Sequence, residues 1–263
     1  MLINSLKRAM NGYTKNMVGF VSSSVNYIVF LVLFTLAMTG LLIGYFMLVS
    51  AFNFPLTLDI NTDIVAAVVN IAFLLIIFEA YLFFMCGLNG ALAKSYEHNM
   101  GIGKLSLTEF YYHALRTSPT LYGIKVIRDI IWALFVAPAV GIYIFALSGY
   151  LYTDWLVGIY VLAVTFVLHL LFTPAMLSAS ISNTGIITSL KKGLRTLQTK
   201  HIRFIGMYII FAFSWLMNFL PLIQIVSIFA LYPLTYSAMA ILVEGGSAPA
   251  SKSRKGNENE NED

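Results

Sequence analysis

The stretch that decides the fold is Ile64–Ala93, IVAAVVNIAFLLIIFEAYLFFMCGLNGALA, which lies between Asp63 and Lys94. Glu79 is its only charged residue. An α-helix of this length spans about 45 Å at 1.5 Å per residue, which exceeds the ~30 Å hydrocarbon core of a bilayer. We therefore predict that the stretch crosses a membrane as a single helix.

The rest of the chain has the same character. Of its 263 residues, 59% are hydrophobic and 11% are charged, and the mean hydropathy is +0.82. A soluble domain has about 25% charged residues. We predict an all-α polytopic membrane protein with six transmembrane helices, arranged as three hairpins. The predicted crossings are Met17–Phe54, Ile64–Ala93, Ile130–Gly149, Leu156–Ile181, Phe204–Phe219 and Leu222–Val243.

The basic residues predict the orientation. All 16 lysines and arginines fall in four clusters, within 7–15, 94–128, 191–203 and 252–255, and two predicted crossings separate each cluster from the next. The breaks on the other side carry Asp59, Asp63 and Asp154 but no basic residue. Basic residues are retained in the cytoplasm during insertion. The pattern therefore predicts a multi-pass protein of the cell membrane with both termini cytoplasmic.

Three cytoplasmic stretches have apolar residues at helical spacing and basic residues nearby: Met1–Asn16, Leu107–Leu115 and Thr184–His201. We predict that they form amphipathic helices in the headgroup plane. The predicted organisation is a cytoplasmic amphipathic segment (1–16), a six-helix transmembrane domain (17–243) and a disordered cytoplasmic tail (244–263). The tail is polar and ends in NENENED, a composition typical of disorder.

The first and third amphipathic stretches also match in sequence. SLKRAM from Ser5 aligns with SLKKGL from Ser189, and the apolar positions coincide at the same offset. Duplication of a unit would explain this match. So would a shared need for a basic interfacial helix before each outward crossing, and the sequence leaves both explanations open.

Two stretches carry a resemblance to a known family. They are Phe83–Pro119, FFMCGLNGALAKSYEHNMGIGKLSLTEFYYHALRTSP, and Phe172–Leu197, FTPAMLSASISNTGIITSLKKGLRTL. They resemble the bacterial YesL-like family and, more loosely, the YciC-like proteins and the membrane domain attached to some glycerophosphodiester phosphodiesterases. Met85 stands where the family commonly has proline. The resemblance implies an integral plasma-membrane protein accessory to transport or envelope processes, and it transfers no catalytic residue.

Glu79 and His169 form the candidate intramembrane polar site. Glu79 follows Asp63 by 16 residues and His169 follows Asp154 by 15, so both lie ~22–24 Å from the outer ends of their helices. A carboxylate at that depth is costly unless it is paired or protonated. On neighbouring helices the two groups could share a hydrogen bond. One hypothesis is a proton- or cation-binding site, and the alternative is a purely structural bond between helices.

Other patterns give narrower predictions. Gly40 and Gly44 have the GxxxG spacing and predict a close helix approach, most simply within the chain. Asp129 beside Arg128 predicts an ion pair at the membrane edge. The chain contains no HExxH, GxSxG or P-loop motif, and its four histidines are dispersed around a single cysteine. We expect no enzyme activity, catalytic residue, cofactor, metal site or nucleic-acid partner.

The predicted function is that of a non-enzymatic scaffold or accessory subunit of a membrane transport or envelope process. Its basic cytoplasmic face would contact anionic headgroups or a membrane protein partner. The residues proposed for that contact are Lys7, Arg8, Arg116, Lys191, Lys192 and Arg195. The second hypothesis is a small proton- or cation-coupled transporter or channel that uses Glu79 and His169.

Overall fold

The computed structural model describes residues 2–52, 54–59, 63–100, 105–147, 152–216 and 226–243. This part of the chain is 93% helical, so the all-α prediction is confirmed. The helices are α1 (Leu2–Lys15), α2 (Met17–Ala51), α3 (Ile64–Asn99), α4 (Leu107–Ile142), α5 (Thr153–Ser182), α6 (Ile186–Leu216) and α7 (Tyr232–Val243). Two π-helical segments, Tyr143–Leu147 and Ser227–Leu231, extend α4 and precede α7.

Among the described residues, four helices are long and apolar enough to cross a membrane, and they overlap the first four predicted crossings. They are Met17–Ala51, Ile64–Asn99, Leu107–Phe145 and Thr153–Ser182. Such a set indicates a multi-pass membrane protein. The fifth and sixth predicted crossings are not among them, and the apolar helix Ser227–Val243, within the sixth, is shorter. The junction between these two predicted crossings and the predicted tail at 244–263 lie outside the described residues.

Consecutive long helices run antiparallel. Hydrogen bonds join α2 to α3 and α4 to α5 at both ends of each pair: Tyr27–Asn89 and Tyr45–Asn70, then Trp132–Thr165 and Tyr143–Asp154. Within each pair, the residue numbers increase along one helix while they decrease along its partner, as antiparallel packing requires. Most of the buried residues lie in the halves of these helices against which α1 and α7 pack.

Helices α3 and α4 approach each other closely at Gly87 and Gly90. A Cβ atom at Gly87 would lie 2.4 Å from the carbonyl oxygen of Ala114. The prediction of a close approach within the chain at Gly40 and Gly44 is wrong, because no described atom comes within 4 Å of a Cβ at either glycine. Those two glycines instead line an open apolar groove on the surface of α2 and α3.

Asp63 and Asp154, which were predicted to lie on the outer side, have a local structural role. The Asp63 carboxylate caps α3 by accepting hydrogen bonds from the backbone N–H groups of Val65 and Ala66. Asp154 lies in the first turn of α5 and accepts a hydrogen bond from the Tyr143 hydroxyl. Acidic groups stabilise helix N-termini by capping and through the helix dipole. Helix capping therefore explains the positions of Asp63 and Asp154 as well as membrane orientation does.

The prediction of a separate interfacial helix at Leu107–Leu115 is wrong. This stretch forms the first turns of α4, which begins with a capping box between Ser106 and Glu109 and continues through Pro119. Phe110 and Ala114 from its apolar face are buried in a cluster with residues of α2 and α3. Phe110 and Ala114 are therefore covered by protein, while Leu107, Tyr111 and Leu115 stay exposed, and the stretch continues into the rest of α4.

The third amphipathic stretch does end at a break. Lys200, with φ −135° and ψ 23°, interrupts α6 and separates residues 186–199 from residues 201–216. The Lys200 ammonium donates a hydrogen bond to the carbonyl oxygen of Leu242 at 2.6 Å, near the end of α7. Burial and, secondarily, the charge of Arg203 lower the pKa of Lys200. The break is thus fixed to the C-terminal end of the neighbouring helix.

The sequence match between α1 and α6 extends to structure. Asn16, with φ −134° and ψ 42°, separates α1 from α2, and it lies 184 residues before Lys200 (200 − 16). At the same offset Phe20 and Phe204 are both fully buried. A need for basic interfacial helices explains the shared lysines but neither the shared break nor the shared buried phenylalanine. The structure therefore favours duplication of this unit.

Candidate functional site

Glu79 lies on the exposed surface where α3 meets α4. Its carboxylate accepts a hydrogen bond of 2.5 Å from the hydroxyl of Tyr122 on α4. The Tyr122 ring packs edge-on against Phe83, one turn after Glu79. Glu79 thus accepts a hydrogen bond from an uncharged hydroxyl on the exposed side of the α3–α4 pair.

His169 is bound to a different set of residues. Its Nδ1 atom lies 2.9 Å from the Tyr208 hydroxyl on α6 and 3.2 Å from the Thr173 hydroxyl on its own helix. Within the described chain, Glu79 and His169 share neither a hydrogen bond nor an ion pair. The direct bond considered from the sequence is therefore absent. Each residue binds a tyrosine on another neighbouring helix.

A charged cluster on α4 lies between these two residues. Asp129 accepts a 2.5 Å hydrogen bond from Lys125 through Oδ2, and bonds of 3.0 and 2.8 Å from Arg128 Nε and Nη2 through Oδ1. The predicted ion pair of Arg128 and Asp129 is confirmed, and Lys125 extends it. One carboxylate is shared by two cations, so the cluster keeps one uncompensated positive charge.

The charged cluster borders a cavity of about 250 Å³ on the surface between α4 and α5. The cavity is lined by Arg128, Asp129, Trp132, Thr165, Leu168 and His169. The indole N–H of Trp132 donates to the Thr165 hydroxyl at 2.8 Å and joins its two walls. A recess of this kind can receive an anionic group.

Sequence reasoning missed this cavity although a signal was present. Lys125, Arg128, Asp129 and Trp132 have the spacing i, i+3, i+4, i+7, which places them on one face of a helix. Lys125 was interpreted only as a marker of orientation, and Arg128 as such a marker and as the partner of Asp129. His169 was identified, but it was considered with Glu79 of α3, whereas the structure places it in one cavity with Arg128 of α4.

The six basic residues predicted to face lipid or a partner are all exposed: Lys7, Arg8, Arg116, Lys191, Lys192 and Arg195. With the Asn183 amide turned so that its oxygen faces Arg116, the guanidinium donates hydrogen bonds of 3.1 and 2.7 Å to that oxygen, in the turn between α5 and α6. Lys7, Lys191 and Arg195 form no ion pair with any described residue. Their charges are therefore available to a partner of opposite sign.

The first part of α6, residues 186–199, has three distinct sides. Ser189, Gly193 and Thr196 are buried, and a Cβ atom at Gly193 would lie 2.8 Å from the backbone nitrogen of Ala175 on α5. A second side exposes the apolar residues Ile187 and Leu194, at 70% and 57%. The third side carries the exposed Lys191, Lys192 and Arg195. We call residues 186–199 the α6 surface segment.

No group of three or more His, Cys, Asp and Glu side chains in the described ranges could hold a metal ion. Comparisons of the chain with protein-family models, with curated proteins and with solved structures gave no match. The proposal for its function therefore depends on the residues of this chain alone.

Proposed function

We propose that this chain is a six-crossing protein of the cell membrane, with both termini in the cytoplasm, that acts as a non-enzymatic scaffold or accessory subunit in a membrane transport or envelope process. In this proposal α6 after Lys200 and α7 with its π-helical lead-in supply the fifth and sixth crossings. The basic end of the molecule contacts anionic headgroups and a membrane protein partner. Such a protein would belong with the YesL-like and YciC-like proteins that its sequence resembles.

The observation that carries the proposal is the three-sided character of the α6 surface segment. Ala175, its contact on α5, follows Thr153 by 22 residues and lies ~33 Å along the helix from the outer end. That distance corresponds to the inner boundary of a ~30 Å hydrocarbon core. A helix there has protein on one side, acyl chains beside Ile187 and Leu194, and headgroups beside Lys191 and Arg195.

The α1 helix supports the proposal with the same arrangement. Ser5 and Ala9 are buried against the bundle, while Ile3 and Met10 are exposed apolar residues next to the exposed Lys7. Clusters of lysine and arginine next to membrane helices attract anionic lipid, at about 1 kcal/mol per residue near the surface. Two such segments at one end of the molecule make that end the working surface.

The lipid contact can be tested with a fluorophore on a cysteine at residue 194, in a Cys86→Ser background, and brominated lipids as quenchers. In mixed bilayers we expect brominated phosphatidylglycerol to quench the fluorophore about twice as strongly as brominated phosphatidylcholine. The reason is that the basic residues beside the label attract the anionic lipid electrostatically. The double variant Lys191→Gln, Arg195→Gln should quench equally with both lipids. Lys252→Gln with Lys255→Gln removes the same charge from the tail and should keep the preference. Loss of the preference in both double variants would reject the contact.

The proposed topology predicts whether a reporter fused at a given residue is active or inactive. A reporter that is active only outside the cytoplasm should be active when it is inserted after Asp154, between the third and fourth crossings. The same reporter inserted after Lys104 should be inactive, because the basic residues around it are retained in the cytoplasm. Activity after Lys104 and none after Asp154 would require the opposite orientation.

The transporter hypothesis comes second. A translocation pathway through Glu79 and His169 would need the two groups to exchange an ion or a proton. In this structure they bind Tyr122 and Tyr208, on different helices. We therefore keep a transport role only as assistance to a partner protein.

A further inference from the structure

We propose that the cavity between α4 and α5 binds the phosphate group of an anionic phospholipid from the cytoplasmic leaflet, with Arg128 as the main ligand and His169 as a second one. This site differs from the basic surfaces of α1 and the α6 surface segment, because it is a recess within the bundle that holds a single headgroup.

The charge of the cluster favours an anion. Lys125 and Arg128 share the single carboxylate of Asp129, which leaves one positive charge without a counterion in the cavity wall. Arg128 uses its Nε–H and one hydrogen of Nη2 for Asp129. A guanidinium has five N–H donors, so three remain for a ligand. Its planar fork matches the oxygens of a phosphate group better than an ammonium does.

His169 supplies a second polar group on the facing helix. Tyr208 and Thr173 occupy its Nδ1 atom, so Nε2 is the ring nitrogen without a hydrogen-bond partner in the described chain. The ring is held from behind by Tyr208, at 5.9 Å between centroids. Arg128 and His169 therefore approach the cavity from two helices, each oriented by a neighbour that does not depend on the ligand.

The cavity lies just inside the inner boundary of the hydrocarbon core. Arg128 precedes Leu147 by 19 residues and His169 follows Thr153 by 16, which gives ~28 and ~24 Å from the outer ends of α4 and α5. These levels are about 2 and 6 Å short of the inner boundary of a ~30 Å core, a distance that the long arginine side chain can cover towards the headgroup layer. Trp132 occupies the outer side of the cavity, and tryptophan is enriched at this boundary.

The size and surroundings of the cavity favour a lipid over a soluble substrate. At about 250 Å³ the cavity is smaller than the roughly 300–1,000 Å³ of sites for drug-sized ligands. It is large enough for a phosphate ester whose remaining atoms lie outside. Towards the outer leaflet, Phe135 of α4 lies seven residues after Arg128 and Leu162 of α5 seven residues before His169, on the same helix faces. Both are exposed and apolar, so acyl chains can lie along them.

The test measures lipid binding by native mass spectrometry on the full chain released from detergent. We expect one phosphatidylglycerol to bind the wild type about tenfold more tightly than phosphatidylcholine, as a charge-assisted contact to one arginine allows. Arg128→Gln should lose this preference and His169→Gln should reduce it. Lys125 still pairs with Asp129 in the Arg128→Gln variant, so the helix interface keeps a balanced ion pair.

Arg254→Gln is the matched control, because it removes one arginine from the predicted tail, outside both proposed lipid surfaces. It should keep the wild-type preference. If Arg128→Gln unfolds, the His169→Gln variant carries the test. An unchanged preference in a folded Arg128→Gln protein would overturn the proposal. Equal binding of inorganic phosphate would overturn the assignment to lipid.

Discussion

Replacing Gly87 with leucine should force α3 and α4 apart and destabilise the bundle strongly. A Cβ atom at this position would lie 1.9 Å from the Ser118 hydroxyl and 2.4 Å from the carbonyl oxygen of Ala114. The Ser118 side chain can rotate, but the Ala114 carbonyl belongs to the backbone of α4 and moves only with that helix. Overpacking costs about 1–3 kcal/mol and occasionally more. We expect the upper end of that range, measured by unfolding of the purified protein in mixed micelles with increasing SDS.

Gly40→Leu is the control for this prediction. It makes the same change in a long apolar helix, but no described atom lies within 4 Å of a Cβ at Gly40. Leucine is a better helix former than glycine by up to about 1 kcal/mol in both variants, so the comparison removes that effect. Gly40→Leu should unfold at the wild-type SDS concentration or above it. Equal destabilisation of the two variants would contradict the packing of α3 on α4 described above.

The sequence could not decide between these two glycine sites. Both lie in apolar helices, and the GxxxG pattern at Gly40 and Gly44 is the more familiar one. A close helix approach requires small residues on both helices at the same level. The partner of Gly87 is the small-residue stretch of α4 that contains Ala114 and Ser118. Nothing comparable faces Gly40. The pairing of helices must be known before the matching small residues can be recognised.

The four long helices were predictable because length and hydropathy set them directly. The extension of α4 back to Leu107 was not. An apolar face at helical spacing appears whether the helix covers lipid or other helices, so the pattern does not distinguish the two. For Leu107–Leu115 the structure distinguishes the two, because Phe110 and Ala114 are buried beside α3 and so pack on protein. The serine and glutamate spacing of the capping box that starts α4 is present in the sequence at Ser106 and Glu109, but it was not used to predict where the helix begins.

The polar residues likewise have features that the sequence predicts and features that it does not. The depth of Glu79 and His169 follows from counting residues along a helix, and it needs no knowledge of packing. Their partners depend on how each helix is rotated and on which helix lies beside it. Tyr122 and Tyr208 were not distinguishable in sequence from the other 13 tyrosines. The charged cluster around Asp129 was more accessible to prediction, because its members lie on one helix.

Replacing Tyr96 with alanine should be the most damaging change at the basic end of the molecule. Tyr96 of α3 is 1% exposed, and its ring stacks on Phe20 of α2 with centroids 5.6 Å apart. Its other side meets Tyr236 of α7 at 6.3 Å. Truncation of a buried aromatic ring to alanine costs about 3–5 kcal/mol, because the cavity left behind collapses only partly. We expect a loss in this range from SDS unfolding, together with loosening of α1 and α7.

Tyr96→Phe separates the ring from its hydrogen bond. The Tyr96 hydroxyl lies 2.7 Å from the Ser24 hydroxyl, and phenylalanine removes that bond while it keeps the stacked ring. Hydrogen bonds between membrane helices contribute about 0.6 kcal/mol on average, so this variant should stay close to the wild type. Tyr112→Ala is the matched control, since Tyr112 is 64% exposed and should tolerate truncation. If Tyr96→Phe proved as unstable as Tyr96→Ala, the hydroxyl bond and not the packed ring would hold α2, α3 and α7 together. The predicted order requires the reverse, because a buried ring in contact with two other helices loses far more on truncation than one interhelical bond supplies.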